Sequence, residues 1–358
     1  MAAATWKQTC SRIFLVCVVA VAIQVMFFSP LPDIPQPSSS LPFPSNSKIQ
    51  KVIKLGQGFL KQPDGVALDK TGVMYTTTRD GWIKRLLRNG TWEDWWKIGD
   101  TDGLLGLTAT AAGGVIVCDV DRGLLKVSEE GVTVAASHVH HGAKIRFADD
   151  VIESLDGTLY FSIASTKFGL HDWPLDIVEA IPHGQLLKYD PQSNVTSILL
   201  EDLAFANGVA LSPSEDYLVV CESWKYRCLK YWLKGDLKGQ IEIFINNLPG
   251  APDNINLAPD GSFWIALIEI FPSKMRFLYT SKASRYLIRA FPKLSQWVTA
   301  AHKKAMVVNV GSDGKMIRGF DDPAGKVMGF VTSALEFEGH LYLGTLYNDF
   351  IGKLPLPT

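Results

Sequence analysis

Asp64, Asp149, Asn207 and Asp253 each stand just ahead of a short apolar run, in Pro63-Asp64-Gly65-Val66, Ala148-Asp149-Asp150-Val151, Ala206-Asn207-Gly208-Val209 and Pro252-Asp253-Asn254-Ile255. Six copies of such a stretch, aligned on the apolar strand that ends each one, give a column of Asp64, Gly106, Asp149, Asn207, Asp253 and Val331. Asp150 and Asn254 follow directly in two of the copies. Carboxylates gathered into one small volume cannot all stay ionised without a counter-charge. A hard cation with about six to eight oxygen ligands resolves the conflict, and Ca2+ accepts more protein oxygens than Mg2+ does. The candidate metal ligands in this column are therefore Asp64, Asp149, Asn207 and Asp253. Asp and Asn also favour turns before strands for local reasons, but turn preference alone does not select one column four times.

The elements that must position these residues are short β-strands. The copies read PDGVALDKTGVMYTTT, GLTATAAGGVIVCDV, ADDVIESLDGTLYFSIA, ANGVALSPSEDYLVVCE, PDNINLAPDGSFWIALI and VTSALEFEGHLYLGTL, each an apolar strand, a Gly- or Asp-containing turn and a second strand. Further strands follow in most copies, such as DGWIKRLL and TWEDWWKI in the first. Alternating short segments with such turns are β signals, and a unit recurring at this spacing marks propeller blades. The expected fold is all-β, a six-bladed β-propeller over 49–358, with the segment from Ile49 completing the last blade. In a ring, equivalent positions converge on the axis, so the oxygen column becomes a central site.

The chain has 358 residues, a formal net charge of -1, 47% hydrophobic residues and 20% charged ones. That composition excludes disorder and low-complexity fibres, and its charge balance argues against nucleic acid as a partner. Mean hydropathy is +0.11, owed largely to Ile13–Phe28, an apolar run after Lys7 and Arg12 with no acid before it. A charged start and an apolar run read as a secretory signal peptide or signal-anchor over 1–28. The run is short beside the ~20 residues of a full span, yet no Ala-x-Ala cleavage site follows it. The preferred expectation is an uncleaved anchor in the endoplasmic reticulum membrane with a lumenal body; a cleaved signal would send the body to the vacuole or cell exterior. Residues 29–48 are rich in Pro and Ser and read as an extended linker.

Sequons at Asn89 and Asn194 agree with a lumenal glycoprotein. Cys221 and Cys228 flank Trp224-Lys225-Tyr226-Arg227, a spacing suited either to a disulfide across paired strands or to two buried thiols, with Cys118 free in both cases. From Ile270 to Ser312 there is no acidic residue. Lys274, Arg276, Lys282, Arg285, Arg289, Lys293, Lys303 and Lys304 interleave there with Phe277, Leu278, Tyr279, Tyr286, Leu287, Phe291 and Trp297. This reads as a helical insertion in the fifth blade, about 270–305: a solvated rim helix, a lid, or a basic-aromatic face on a membrane.

FADDVIESLDGTLYFSIAS, PHGQLLKYDP, FANGVALSPSEDYLVVCESW and LPGAPDNINLAPDGSFWIAL resemble the plant strictosidine synthase-like proteins and the animal adipocyte plasma membrane-associated proteins. The resemblance covers most of 50–355. It implies membership of a superfamily of six-bladed propellers that includes paraoxonases, squid-type phosphotriesterases and gluconolactonases, with a catalytic calcium at the channel floor. It carries a calcium-site role to Asn207, Asp253 and Asn254. Asp149 stands where the family usually has Asn, and Asp64 where the hydrolases have Glu. Asp253 matches the nucleophile proposed for the phosphotriesterase relatives and is the candidate catalytic residue. True strictosidine synthases use a Glu with a His two residues earlier at the start of the last blade; here those positions hold Thr332 and Phe330, so a Pictet–Spengler synthase is disfavoured.

Other catalytic signatures are weak. Gly56-Gln57-Gly58 lacks a third glycine, and no GxSxG or HExxH occurs. His138, His140 and His141 cluster before the third blade, and His171 and His183 flank a second insertion near 166–183; each reads first as a surface histidine and second as a base. The leading expectation is a calcium-dependent ester or lactone hydrolase acting on a small molecule, and the alternative is a non-catalytic, calcium-stabilised binding propeller at a secretory membrane.

Overall fold

Each copy of the repeat folds into a four-stranded antiparallel sheet, and six such sheets make the propeller in the computed structural model. It describes residues 12–21, 23–24, 31–32, 44–270, 280–291 and 304–357. The innermost strands of blades 1 to 6 are Val66–Leu68, Leu104–Ala109, Ala148–Glu153, Ala206–Leu211, Ala251–Leu257 and Val331–Phe337. Five blades use four consecutive strands. The sixth takes its outermost strand, Ile53–Leu55, from the N-terminal side of the ring, with Ile53 opposite Lys353 and Leu55 opposite Ile351. This closure leaves no open blade to template aggregation.

The blades pack face to face through apolar clusters. Trp264 and Phe320 of blade 5, for example, meet Ala334, Leu341, Leu343 and Phe350 of blade 6, with Ile49 beneath. Near the axis the inner strands come so close that side chains are excluded. A Cβ on Gly208 would lie 2.4–2.6 Å from the backbone of Asp253, Asn254 and Ile255, and one on Gly106 would strike Asp150. Polar links cross the same seams. Thr77 Oγ1 donates to Leu105 O at 2.6 Å, Ser223 Oγ to Pro252 O at 2.7 Å, and Thr332 Oγ1 to Asp64 O at 3.0 Å.

In blades 2 to 6 the inner strand carries one extra residue against its neighbour, as between Ala148 and Val151 or Ala206 and Val209. The bulge fixes which residues face the axis, and the observed register corrects the aligned column. The position equivalent to Asp149 and Asn207 is Leu105 in blade 2 and Thr332 in blade 6, not Gly106 and Val331. Gly65, Gly106, Asp150, Gly208, Asn254 and Ser333 form the next row.

Two helices interrupt the strands. Helix α1 (Trp173–Glu179) lies between the second and third strands of blade 3, and α2 (Lys282–Ala290) between those of blade 5. α2 therefore falls within the expected insertion. The rest of that insertion, 271–279 and 292–303 with Lys274, Arg276, Phe277, Leu278, Tyr279, Lys293, Trp297 and Lys303, lies outside the described residues, as do Cys10 and linker residues 33–43. Residues 12–21 are helical, and among the described residues no helix is long and apolar enough to cross a membrane.

Gly208→Ala should lower stability by about 2–3 kcal/mol, because the new methyl meets backbone and not a movable side chain. Gly169→Ala, where a Cβ would meet nothing within 4 Å, should change it by less than about 0.5 kcal/mol. Chemical denaturation of both variants checks the contrast.

Candidate functional site at the propeller axis

Antiparallel blades place the start of each inner strand on the same face as the connection between its second and third strands. Residues from both places line one pocket that opens to solvent. Asp64, Asp149, Asn207 and Asp253 come from inner-strand starts; Arg79, Trp173, Trp224 and Leu346 come from the connections. The structure thus brings four of the five candidate ligands together. Asn254 is buried but sits in the adjacent row and does not line the cavity. Asp150, its equivalent in blade 3, accepts from Val151 N at 2.9 Å and Val209 N at 3.0 Å, tying blade 3 to blade 4.

The floor is acidic and buried. Asp64, Asp149 and Asp253 are 5%, 7% and 8% exposed. Burial, then the Asp64 and Asp150 carboxylates, hold Asp149 well above the usual carboxylate range. Burial, then Asp149 and Asp64, do the same to Asp253, opposed by a hydrogen bond from Asn207. Burial also raises Asp64, against the pull of Arg79, whose Nη2 lies 3.4 Å from Asp64 Oδ2. Asn207 Oδ1 is buried without a hydrogen-bond partner. An orphaned amide oxygen beside three mutually repelling carboxylates is a donor set that suits a hard cation. Among the described residues no three His, Cys, Asp or Glu side chains form a metal cluster by themselves.

Above the floor the wall is aromatic. Phe147, Phe205 and Phe330 each stand two residues before the axis-facing position of their blade, and all three have positive φ, 50°, 63° and 50°. Bulky residues avoid that region at a cost of about 1–2 kcal/mol each. Three such corners around one cavity mark a wall held in place by the surrounding ring. Phe205 lies 4.2 Å from Trp224, and Trp224 stacks on Trp173 at 5.7 Å between ring centres. Trp224 rides on a turn whose flanking cysteines, Cys221 and Cys228, face each other across paired strands and are joined as a disulfide. Its indole Nε1 donates to Asp176 Oδ1 at 2.8 Å.

The sequence reading missed Arg79, Asp176 and this wall. Arg79 and Trp224 each lie two residues past the second strand of their blade, but the strand register matches Arg79 to Ser223, so no repeat position marks either. Asp176 lies in α1, outside any repeat. The histidines behave as surface residues: His138, His140 and His141 are exposed and none lines the cavity. His171 is exposed, and His183 pairs with Glu179 at 3.2 Å. Asn89 and Asn194 sit exposed in turns between third and fourth strands. Cys118 is buried and free.

Six-bladed propellers of known structure share the fold. A gluconolactonase from Xanthomonas campestris superposes with a TM-score of 0.59 at 14% identity, covering 92% of this chain and 99% of that one. A calcium-binding protein, regucalcin, from Agrobacterium tumefaciens superposes at 0.55 and 12% identity, covering 88% and 95%. Sequence narrows the class. The strictosidine synthase family model matches residues 149–236, and the strictosidine synthase-like N-terminal model matches 42–86. Strictosidine synthase-like 4 of Arabidopsis thaliana is 33% identical over 96% of this chain and 94% of its own length. The adipocyte plasma membrane-associated protein of Bos taurus is 30% identical over 87% and 80%. The chain belongs to the strictosidine synthase-like family.

Asp176 gives this wall a pH signature. Burial lifts its pKa from 3.8 to about 6, against hydrogen bonds from Ser165 and Trp224. The folded state then holds a proton that the unfolded state has lost between those values, so stability is greatest below pH 4 and falls as pH rises through 6. A two-unit shift corresponds to about 3 kcal/mol. Asp176→Asn should therefore gain about that much relative to the native protein between pH 4 and pH 7, as read from paired denaturation curves at the two pH values.

Proposed function

We propose that this propeller is a calcium-dependent hydrolase of small esters or lactones. The observation that carries the reading is the cavity floor, where Asp64, Asp149, Asp253 and the unpartnered Asn207 Oδ1 converge beneath an apolar wall. Asp64, Asp149, Asn207 and Asp253 would hold the ion. Bound there, it would supply Lewis-acid polarisation of the carbonyl oxygen.

The chain's own groups do the rest. Trp173, Trp224, Phe205 and Phe330 exclude water and hold the apolar part of the ester. Asp253 is the candidate nucleophile. One carboxylate oxygen attacks the acyl carbon, forming a mixed anhydride as the ester C–O bond breaks, and the departing alkoxide takes a proton from water. A second water splits the anhydride into the free acid and Asp253, and the proton this releases neutralises the hydroxide left by the first water, so the Asp253 carboxylate is restored. The Asn207 amide that donates to Asp253 orients the attacking oxygen, and Arg79 holds Asp64 in place. Blade 6 offers this cavity Phe330 and Leu346, while the Thr332 hydroxyl is engaged by Asp64 O. No carboxylate base stands there, which argues against a Pictet–Spengler condensation.

Calcium should raise the melting temperature of the metal-stripped protein, by the equivalent of about 2.7 kcal/mol at a hundredfold excess over Kd, and Asp149→Asn should weaken that response. Turnover of an aryl ester and lactone panel should need calcium, and Asp253→Asn should cut it by at least about 100-fold while the protein stays folded. Stabilisation by calcium with no turnover on any substrate would replace this reading with that of a calcium-stabilised binding propeller.

A further inference from the structure

We propose that α2 lies on an anionic bilayer surface and turns the mouth of the axial cavity toward the membrane. The first support is the helix itself. Its exposed side carries Ala283, Leu287 and Phe291 at i, i+4 and i+8, with Leu287 51% and Phe291 61% exposed. Lys282, Tyr286 and Arg289 run along one edge of that stripe at i, i+4 and i+7. An apolar stripe edged by cations and an aromatic ring matches a helix lying in a lipid interface. The absence of any acidic residue from Ile270 to Ser312 leaves no repulsion toward anionic headgroups on this segment.

The second support is what the buried side of α2 holds. Arg285 is fully buried. Its Nε donates to Val178 O at 2.7 Å and its Nη2 to Glu179 O at 3.2 Å, capping the C-terminal carbonyls of α1. Cationic groups are favoured at that helix end. Its Nη1 donates to Pro32 O at 2.6 Å, and Leu31 beside it is buried. Pro32 follows the apolar run Ile13–Phe28 by four residues in the sequence. One guanidinium thus joins the N-terminal segment, the helix with the exposed apolar stripe, and α1, whose Trp173 lines the cavity.

The third support is polarity between the two faces. α1 and α2 both lie in connections between second and third strands, the face on which the cavity opens. Asn89 and Asn194 lie in turns between third and fourth strands, on the opposite face. Glycans at these positions would point away from the bilayer. A ligand reaching the cavity would then enter from the lipid side, past Leu170 and Trp173.

Site-specific fluorescence on the full chain tests the orientation without reference to turnover. In a Cys10→Ser, Cys17→Ser background, an NBD dye is attached at Leu287→Cys, at Phe291→Cys or at Asn89→Cys, and each protein is reconstituted into phosphatidylcholine–phosphatidylserine vesicles. Both helix positions are exposed, so folding is not at risk. Doxyl-labelled lipid should quench the dye at 287 and 291 roughly two-fold and leave that at 89 unchanged. Lys282→Glu with Arg289→Glu, or vesicles of phosphatidylcholine alone, should diminish quenching at 287. No quenching at either helix position, or equal quenching at 89, overturns the proposal; quenching indifferent to charge overturns its anionic-lipid part.

Discussion

The geometry of a closed ring forces acid against acid. Six inner strands start around one axis, and three of them begin with aspartate at the axis-facing position, Asp149 and Asp253 beside a bulge and Asp64 without one. Burial and mutual repulsion then act on the same groups, as the raised proton affinities of Asp149 and Asp253 register. Such a centre is costly unless a cation joins it. The guanidinium of Arg79 answers part of that charge, pairing with Asp64 and also drawing on Asp149, while among the described residues no cation acts on Asp253 in the same way. The glycines of the neighbouring row, the hydroxyl links across the seams and the strained phenylalanine corners all hold this cluster where relaxation would disperse it.

The wall around the floor is organised by the same logic. Phe147, Phe205 and Phe330 accept an unfavourable backbone so that their rings project over the axis just where each chain enters its inner strand. Trp224 is fixed from below by Asp176, from the side by Trp173 and Phe205, and at its base by a turn closed by the Cys221–Cys228 bond. Glu222 in that turn is fully buried, accepts from Ala204 N and pairs with Lys225 and Arg227. A side chain held by so many neighbours belongs to a preorganised pocket.

Blade number, strand order and the axial position of Asp64, Asp149, Asn207 and Asp253 were legible because a repeat writes each of them several times over. The one-residue misplacement at Gly106 and Val331 shows where that legibility stops. The bulge is common to blades 2 to 6 and does not single these two out. In blade 6 the first hairpin is one residue shorter, Ala334 pairing with Leu343 where Val151 pairs with Phe161, so alignment on the second strand slides the column to Val331. Blade 2 has no such difference to account for Gly106. Arg79 and Trp224 were unreadable for a different reason. Connections between second and third strands differ in length from blade to blade, so no periodicity marks the residues that they return to the axis. Asp176 and Arg285 depend on helices inserted once each, and their partners are backbone carbonyls and an indole that carry no spacing signature.

The two insertions also explain how one chain separates roles that a symmetric ring would mix. A regular six-fold repeat would present equivalent loops on every side of the mouth. Here, among the described residues, blades 3 and 5 alone carry α-helices, and the buried Arg285 ties the two together on that rim. Arg285 donates to three carbonyl oxygens from two segments, Val178 and Glu179 at the end of α1 and Pro32 of the N-terminal segment, and these hydrogen bonds support its full burial. Removing either segment would leave part of a buried charge unsatisfied. The N-terminal segment at Pro32, the cavity wall at Trp173 and the basic helix are thereby coupled in stability, so that displacement of one is expected to loosen the others.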